Sequence, residues 1–145
     1  MSLEVLVDNE TLLQGLERKS NELPEQLRNL TNTAAFAVDK AVKEEAPVIT
    51  GNLQGSISID NVSDYVKRIY PDEGIAPYAI YVLKKTPPHE IWAKPGSALN
   101  TPYGLFRKVN HPGSDANDFI GRGFERAKPE IDSAVDEFKS WLLGD

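Results

Sequence analysis

From residue 9 to residue 46, apolar side chains recur at intervals of three and four, the rhythm of a helix. Leu12, Leu13 and Leu16 share one face of a short segment over residues 9–22, and Asp8 or Asn9 can cap its start. Beyond it Leu23, Leu27, Leu30, Ala34, Ala37 and Ala41 keep one stripe for about five turns, widened by Phe36, Val38 and Val42. Pro24 suits the first turn of this second helix, where a missing N–H costs little. Pro47 disfavours helical geometry in the residue before it, so the helix should stop near Glu45 or Ala46. Leu27, Leu30, Ala34, Ala37 and Ala41 are the predicted buried face, packed against a sheet.

The texture then changes. Ile57 and Ile59 alternate with serines, and residues 65–70 hold Tyr65, Val66, Ile69 and Tyr70. Residues 78–83 read Tyr-Ala-Ile-Tyr-Val-Leu, and residues 89–93 and 105–109 are two further short apolar runs. Turn residues separate them at Asp60-Asn61, at 71–74, at Pro87-Pro88 and at Pro95-Gly96. This predicts three to five short antiparallel strands. Residues 84–104 are rich in Pro, Gly, Ser, Asn and Thr and too long for a tight turn. They are expected to be a projecting hairpin or a mobile loop, the least ordered internal stretch, with Ile91 and Trp92 as anchors of a contact arm. After Pro112-Gly113 a last helical region runs from Asp115, with Pro129 either kinking it or starting a new helix. Helices, then strands, then a C-terminal helix make an α+β domain, with the N-terminal helices packed on a small antiparallel sheet. No internal repeat or linker divides the 145 residues, so a single domain is expected.

Composition narrows the function. Apolar residues at 40% and charged residues at 26% suit a globular chain, and no apolar run is long enough for a membrane span. No basic-then-apolar leader is visible at the N-terminus. Cysteine is absent, which removes disulfides, thiolate metal sites and a cysteine nucleophile together. The net charge of −6 argues against a free-standing nucleic-acid binder. The charge is uneven: residues 1–61 carry 10 acids and 5 bases, residues 62–111 carry 4 and 7, and residues 112–145 carry 8 and 4. Acidic ends and a basic middle suit solvated helices around a sheet, or faces that meet between copies of the chain.

Candidate chemistry is sparse. His89 and His111 each adjoin a proline, and a loop histidine bonding the backbone accounts for such residues better than metal ligation. There is no phosphate-binding glycine loop, and Gly121-Arg122-Gly123 lacks the third glycine and preceding strand of a dinucleotide site. No Gly-x-Ser-x-Gly elbow is present. The acid pairs Glu44-Glu45, Asp72-Glu73 and Asp136-Glu137 sit in polar stretches and read as solvated faces. Tyr78, Tyr81, Trp92 and Tyr103 lie near Lys84, Lys85, Lys94, Arg107 and Lys108, which suits either a half-buried sheet with a basic loop or a stacking surface for single strands. No constellation supports an enzyme, a metal or a cofactor.

Three stretches in order carry a resemblance. Residues 46–57, Ala-Pro-Val-Ile-Thr-Gly-Asn-Leu-Gln-Gly-Ser-Ile, follow a long helix and resemble the "APVDTGxLRxSI" signature of tailed-phage minor structural proteins. Tyr78-Ala79-Ile80-Tyr81-Val82, with Thr86 after it, resembles "YAxYVExGT" of the same family. Val109-Asn110-His111-Pro112-Gly113, followed by Phe119, resembles "VxHPGTxxxPF". Together they span roughly residues 10–130 and are similar to the "gp-ten-like" group of head–tail joining or tail-completion (neck) proteins of phages and prophages. Ile49 stands where the family carries an acid, Leu83-Lys84-Lys85 precedes Thr86 where it has Glu and Gly, and Asp118 replaces its proline.

In physical terms these motifs are structural. Pro47 ends a helix, Thr50-Gly51 makes a turn that needs positive φ at Gly51, Leu53 enters the sheet, and Tyr78 and Tyr81 lie on a strand. His111, Pro112 and Gly113 return the chain to the last helix, with the imidazole satisfying turn groups. The resemblance implies a non-enzymatic virion assembly protein, a ring-forming part of the head–tail connector. Its implied partners are further copies of itself, the portal or head-completion proteins, and the tail terminator or tail tube. The implied location is the virion neck, with the host cytoplasm during assembly. No membrane and no sequence-specific nucleic acid is implied. The alternative is a small cytoplasmic nucleic-acid-associated or regulatory domain that uses the basic middle.

Overall fold

A computed structural model describes residues 9–48 and 51–144. The chain runs through α1 (Asn9–Glu45), α2 (Asn52–Ser56), β1 (Ile57–Ser63), β2 (Val66–Pro71), α3 (Ala79–Leu83), β3 (His89–Trp92), β4 (Leu99–Thr101), β5 (Gly104–Phe106), β6 (Lys108–His111) and α4 (Phe119–Leu143). The fold is α+β, with a long N-terminal helix, small antiparallel ribbons and a C-terminal helix.

The two N-terminal helices expected from the sequence are one. α1 passes through Pro24, and α4 likewise passes through Pro129 and begins at Phe119 rather than Asp115. A proline inside a helix frees the carbonyl four residues back and commonly costs about 3 kcal/mol. Both prolines are exposed, and so are Ser20 and Glu125, the residues four positions before them. The packing of the two helices on each other holds each continuous. α1 measures about 55 Å and α4 about 37 Å at 1.5 Å per residue. They run antiparallel. Near the start of α4, a Cβ at Gly123 would lie 2.6 Å from the Val42 Cα. At its end, Lys19 Nζ donates to the carbonyls of Trp141 and Leu142, both at 2.7 Å. Those carbonyls belong to the last turn, which has no partners within the helix.

The predicted stripe therefore faces mainly α4, not the sheet. Ala37 and Ala41 are buried with Ala127, beside Val38 and Ile131. Leu27, Leu30 and Ala34 are only half-buried. The second core forms where α1 ends: Val42, Ala46, Leu53, Ile57, Ala76, Ala79 and Phe119 enclose one another. Leu53 serves this core from the short helix α2 and does not enter a sheet. Gly51 opens α2 with φ 81°, the left-handed value expected of it, while Ile49 and Thr50 lie outside the described residues.

Among the described residues there is no single sheet. Three two-stranded antiparallel ribbons form instead: β1–β2, β3–β6 and β4–β5. The run 78–83, expected as a strand, is the one-turn helix α3, with Tyr78 just before it and Tyr81 within it. Ala76 and Ala79 are buried and Val82 and Leu83 half-buried, a spacing of three and four that serves the core from a helix. The expected strand 105–109 is divided at Arg107 between β5 and β6. Residues 84–104 are not one irregular loop. β3 pairs with β6 in the register His89↔His111 to Trp92↔Lys108, Ala93 N–H donates to the Arg107 carbonyl at 2.8 Å, and β4–β5 closes the tip. The result is a long ribbon arm over residues 89–111.

Candidate functional site

The base of the arm is built by one local device. Thr86 and Ser114 exchange backbone hydrogen bonds of 2.9 and 3.0 Å. Gly113 crosses this bridge with φ 85°, and a Cβ there would lie 2.4 Å from the Thr86 carbonyl oxygen. Only glycine fits both the angle and the space. Pairing then sets His89 directly opposite His111, with ring centroids 5.1 Å apart and planes tilted by 31°.

Each imidazole bonds the backbone beside it, as loop histidines next to proline were expected to do. His89 Nδ1 lies 2.9 Å from the Pro87 carbonyl oxygen and must donate to it. His111 Nδ1 accepts from the Gly113 N–H at 3.0 Å. In their neutral forms, then, His89 keeps a lone pair on Nε2 and His111 keeps a proton there. The two ring edges are complementary, one acceptor and one donor. Two metal ligands would both need the lone pair. Among the described residues no group of three or more His, Asp or Glu side chains is placed to hold a metal.

The His pair forms one wall of a cleft of about 730 Å³. Pro47 at the end of α1, Tyr78, Tyr81 and Val82 around α3, and Ile91 of β3 supply apolar surface. Thr86, Ser114, Asp115 and Asn117 supply polar groups. Asn117 is fixed from two sides: its N–H donates to the Val82 carbonyl at 2.9 Å, and its Oδ1 accepts from Arg122 at 2.8 Å. The cleft is thus mostly apolar and aromatic, with the two imidazole edges, Thr86, Ser114, Asp115 and Asn117 as its polar groups.

Four residues singled out in the sequence meet here: Pro47, Tyr78, Tyr81 and His111. Ile91, expected as an arm anchor, is half-buried in this cleft instead. Trp92 points away and is 64% exposed. Pro112 and Gly113 line a smaller neighbouring pocket with Lys85 and Pro88. His89 and Thr86, also marked in the sequence, join the four in the cleft, while Asn117 was not singled out. The proline beside each histidine was the available signal, and the cross-strand register that joins them is not a local property.

A charged cluster braces the same end of the molecule. Glu45 accepts from Arg122 Nε and Arg126 Nη1, each at 3.1 Å, and Glu44 pairs with Arg126 at 3.1 Å. The Arg122 hydrogen bond, then that of Arg126, holds the Glu45 carboxyl below its ordinary value. Glu44-Glu45 is thus a tie between α1 and α4, not the merely solvated face expected. Among the described residues no helix is long and apolar enough to cross a membrane. No protein-family model, curated protein or solved structure matches the chain.

Proposed function

We propose that this chain is a non-enzymatic virion assembly protein of a tailed phage or prophage, part of the head–tail connector or tail-completion ring. The phage assignment rests on the three sequence stretches and their order. The observation that carries an assembly role is the arm. Trp92 is 64% exposed, Tyr103 90%, Leu105 72% and Phe106 43%, all on a hydrogen-bonded ribbon rather than a ragged loop. Large apolar side chains held in fixed positions and left open to water are typical of a surface that another protein covers.

In this reading the partners are further copies of the chain, the portal or head-completion proteins on one side, and the tail terminator or tail tube on the other. The protein then works in the virion neck after assembly in the host cytoplasm. One feature favours the alternative of a small cytoplasmic nucleic-acid-associated or regulatory domain: Lys108 Nζ lies 5.1 Å from the Trp92 ring centroid, among other arm cations. The deciding experiment is electron microscopy of purified portals or tails with the protein added. The assembly reading expects extra ring density at the junction. No such density, together with tight salt-dependent DNA binding by the isolated protein, would establish the alternative.

A further inference from the structure

The strands of the arm pack chiefly on each other, so its base decides how it stands on the body. The chain enters the arm at residues 86–88 and leaves it at residues 112–114. Gly113 of the leaving leg lies against the Thr86 carbonyl and the backbone of Pro87 and Pro88 on the entering leg. The two imidazoles bond these same legs, His89 the Pro87 carbonyl and His111 the Gly113 N–H.

The two bonds respond differently to a proton. His89 donates through Nδ1, and an imidazolium keeps that N–H, so a proton on Nε2 leaves the bond to Pro87 intact. His111 accepts through Nδ1, and an imidazolium has no acceptor. A cationic His111 would set two donors facing each other at 3.0 Å. The turn cannot move aside, because φ 85° and the contact with Thr86 fix Gly113. The protonated ring must therefore leave it. A second cation at His89, with ring centroids 5.1 Å apart, drives it the same way. The other titratable groups lining the cleft are the phenols of Tyr78 and Tyr81 at α3 and the carboxylate of Asp115, which pairs with Lys85 at 3.7 Å. Pro47 at the end of α1 brings no charge, and Asn117 before α4 bonds Arg122. Glu90 and Lys108 lie on the other face of the ribbon and pair with each other.

We propose that His111 is a proton-operated latch of the arm. Neutral, it holds the Gly113 turn and the arm stands fixed; protonated, it lets go and the arm swings on residues 86–88 and 112–114. The released state binds the proton and the latched state does not, so acid shifts the population toward release. The latch is independent of the assembly reading and acts whatever the arm touches.

The whole chain is compared at about pH 7.5 and about pH 5, near the ends of the range in which imidazoles change charge. In NMR exchange measurements corrected for the intrinsic rate, the Gly113 amide should lose about tenfold of its protection at the lower pH, as a lost hydrogen bond implies. Spin labels at Leu105→Cys on the arm and Lys40→Cys on α1, two exposed positions in a chain without cysteine, report the arm itself. Their distance distribution should be narrow at the higher pH and broad at the lower, with helical circular dichroism unchanged. Asparagine also offers an acceptor to the N–H two residues on and takes up no proton, so His111→Asn should stay latched at both pH values. His111→Ala should be released at both, and Asp115→Asn should respond as the native chain does. Gly113 protection or a label distribution that is the same at both pH values in the native chain would overturn the latch. So would an acid response that survives in His111→Asn, or one that is lost in Asp115→Asn, which would give it to the carboxylate and its tie to Lys85. A loss of helix at the lower pH would overturn it too, by making the change global.

Discussion

Gly123 of α4 lies against Val42 of α1 so closely that a Cβ at position 123 would sit 2.6 Å from both Val42 Cα and Cγ2. Helices approach this closely only where one contributes no side chain. Small residues continue the contact at Ala37, Ala41 and Ala127. The approach sets the spacing of the whole helical pair, and with it the position of Glu45 opposite Arg122 and Arg126.

Gly123→Ala should therefore destabilise, although alanine is the better helix former. The propensity gain is about 1 kcal/mol. Overpacking against backbone atoms costs about 1–3 kcal/mol or more, and Val42 Cα cannot rotate away. The net expectation is a lower Tm. Gly15→Ala is the contrast: nothing lies within 4 Å of a Cβ there, so the same change on exposed α1 should raise stability by about 0.5–1 kcal/mol. Thermal unfolding of both variants measures the pair. A Gly123→Ala protein as stable as Gly15→Ala would show that α1 and α4 are not in tight contact.

The two cores should respond differently to truncation. Phe119 is 0% exposed within the cluster of Val42, Leu53 and Ile57, so Phe119→Ala should cost about 3–5 kcal/mol. Leu30 is only half-buried at the groove between the helices, so Leu30→Ala should cost less than about 2 kcal/mol. Denaturant melts that gave the larger loss to Leu30 would place the main core between the helices instead of beneath α3.

What the sequence made legible follows how local each rule is. The stop at Pro47, the left-handed Gly51 and the imidazole that satisfies the turn at Gly113 depend on neighbours in the chain, and the structure has all three. Pro24 misled because a local breaker was overridden by packing between residues about a hundred positions apart, whereas at Pro129 the helix runs on, which rules out only a new helix there. Residues 78–83 misled because aromatic and β-branched side chains read as strand. Ala76, Ala79 and Leu83 already carried the helical spacing. The cleft was half legible. Pro47, Tyr78, Tyr81 and His111 were each marked, but their convergence with His89 needs the β3–β6 register, which no local pattern encodes.

The Glu45 tie predicts an acid dependence. Its carboxyl titrates below the ordinary value of 4.5 because Arg122, then Arg126, bonds the charged form. A lowered native pKa means the unfolded chain takes up the proton first as pH falls. The stabilisation is thus complete above about pH 4.5 and is lost as pH drops through the lower native value. Glu45→Gln should be less stable than the native chain at pH 7, and the gap should close on acidification. Melting curves between neutral and strongly acid pH read this out directly. A gap that stayed constant down to acid pH would mean that the ion pairs add nothing and Glu45 acts through packing alone.

The last prediction concerns metal and the histidine pair. His111 spends its Nδ1 lone pair on the Gly113 N–H, so in neutral form its Nε2 carries the proton and is not a free ligand. His89 alone has its Nε2 lone pair open, because its Nδ1 donates to Pro87. Binding a metal between the rings would require His111 to change tautomer and release the Gly113 turn. That turn is held in a conformation with φ 85° against Thr86, so it has little freedom to adapt. EDTA should leave Tm unchanged, and added zinc should not raise it. His111→Ala should cost about 0.5–1.5 kcal/mol for the lost acceptor, with or without zinc. A Tm that falls in EDTA and recovers with zinc, in the native chain but not in His111→Ala, would show that the two imidazoles act as ligands rather than as the clasp of the arm.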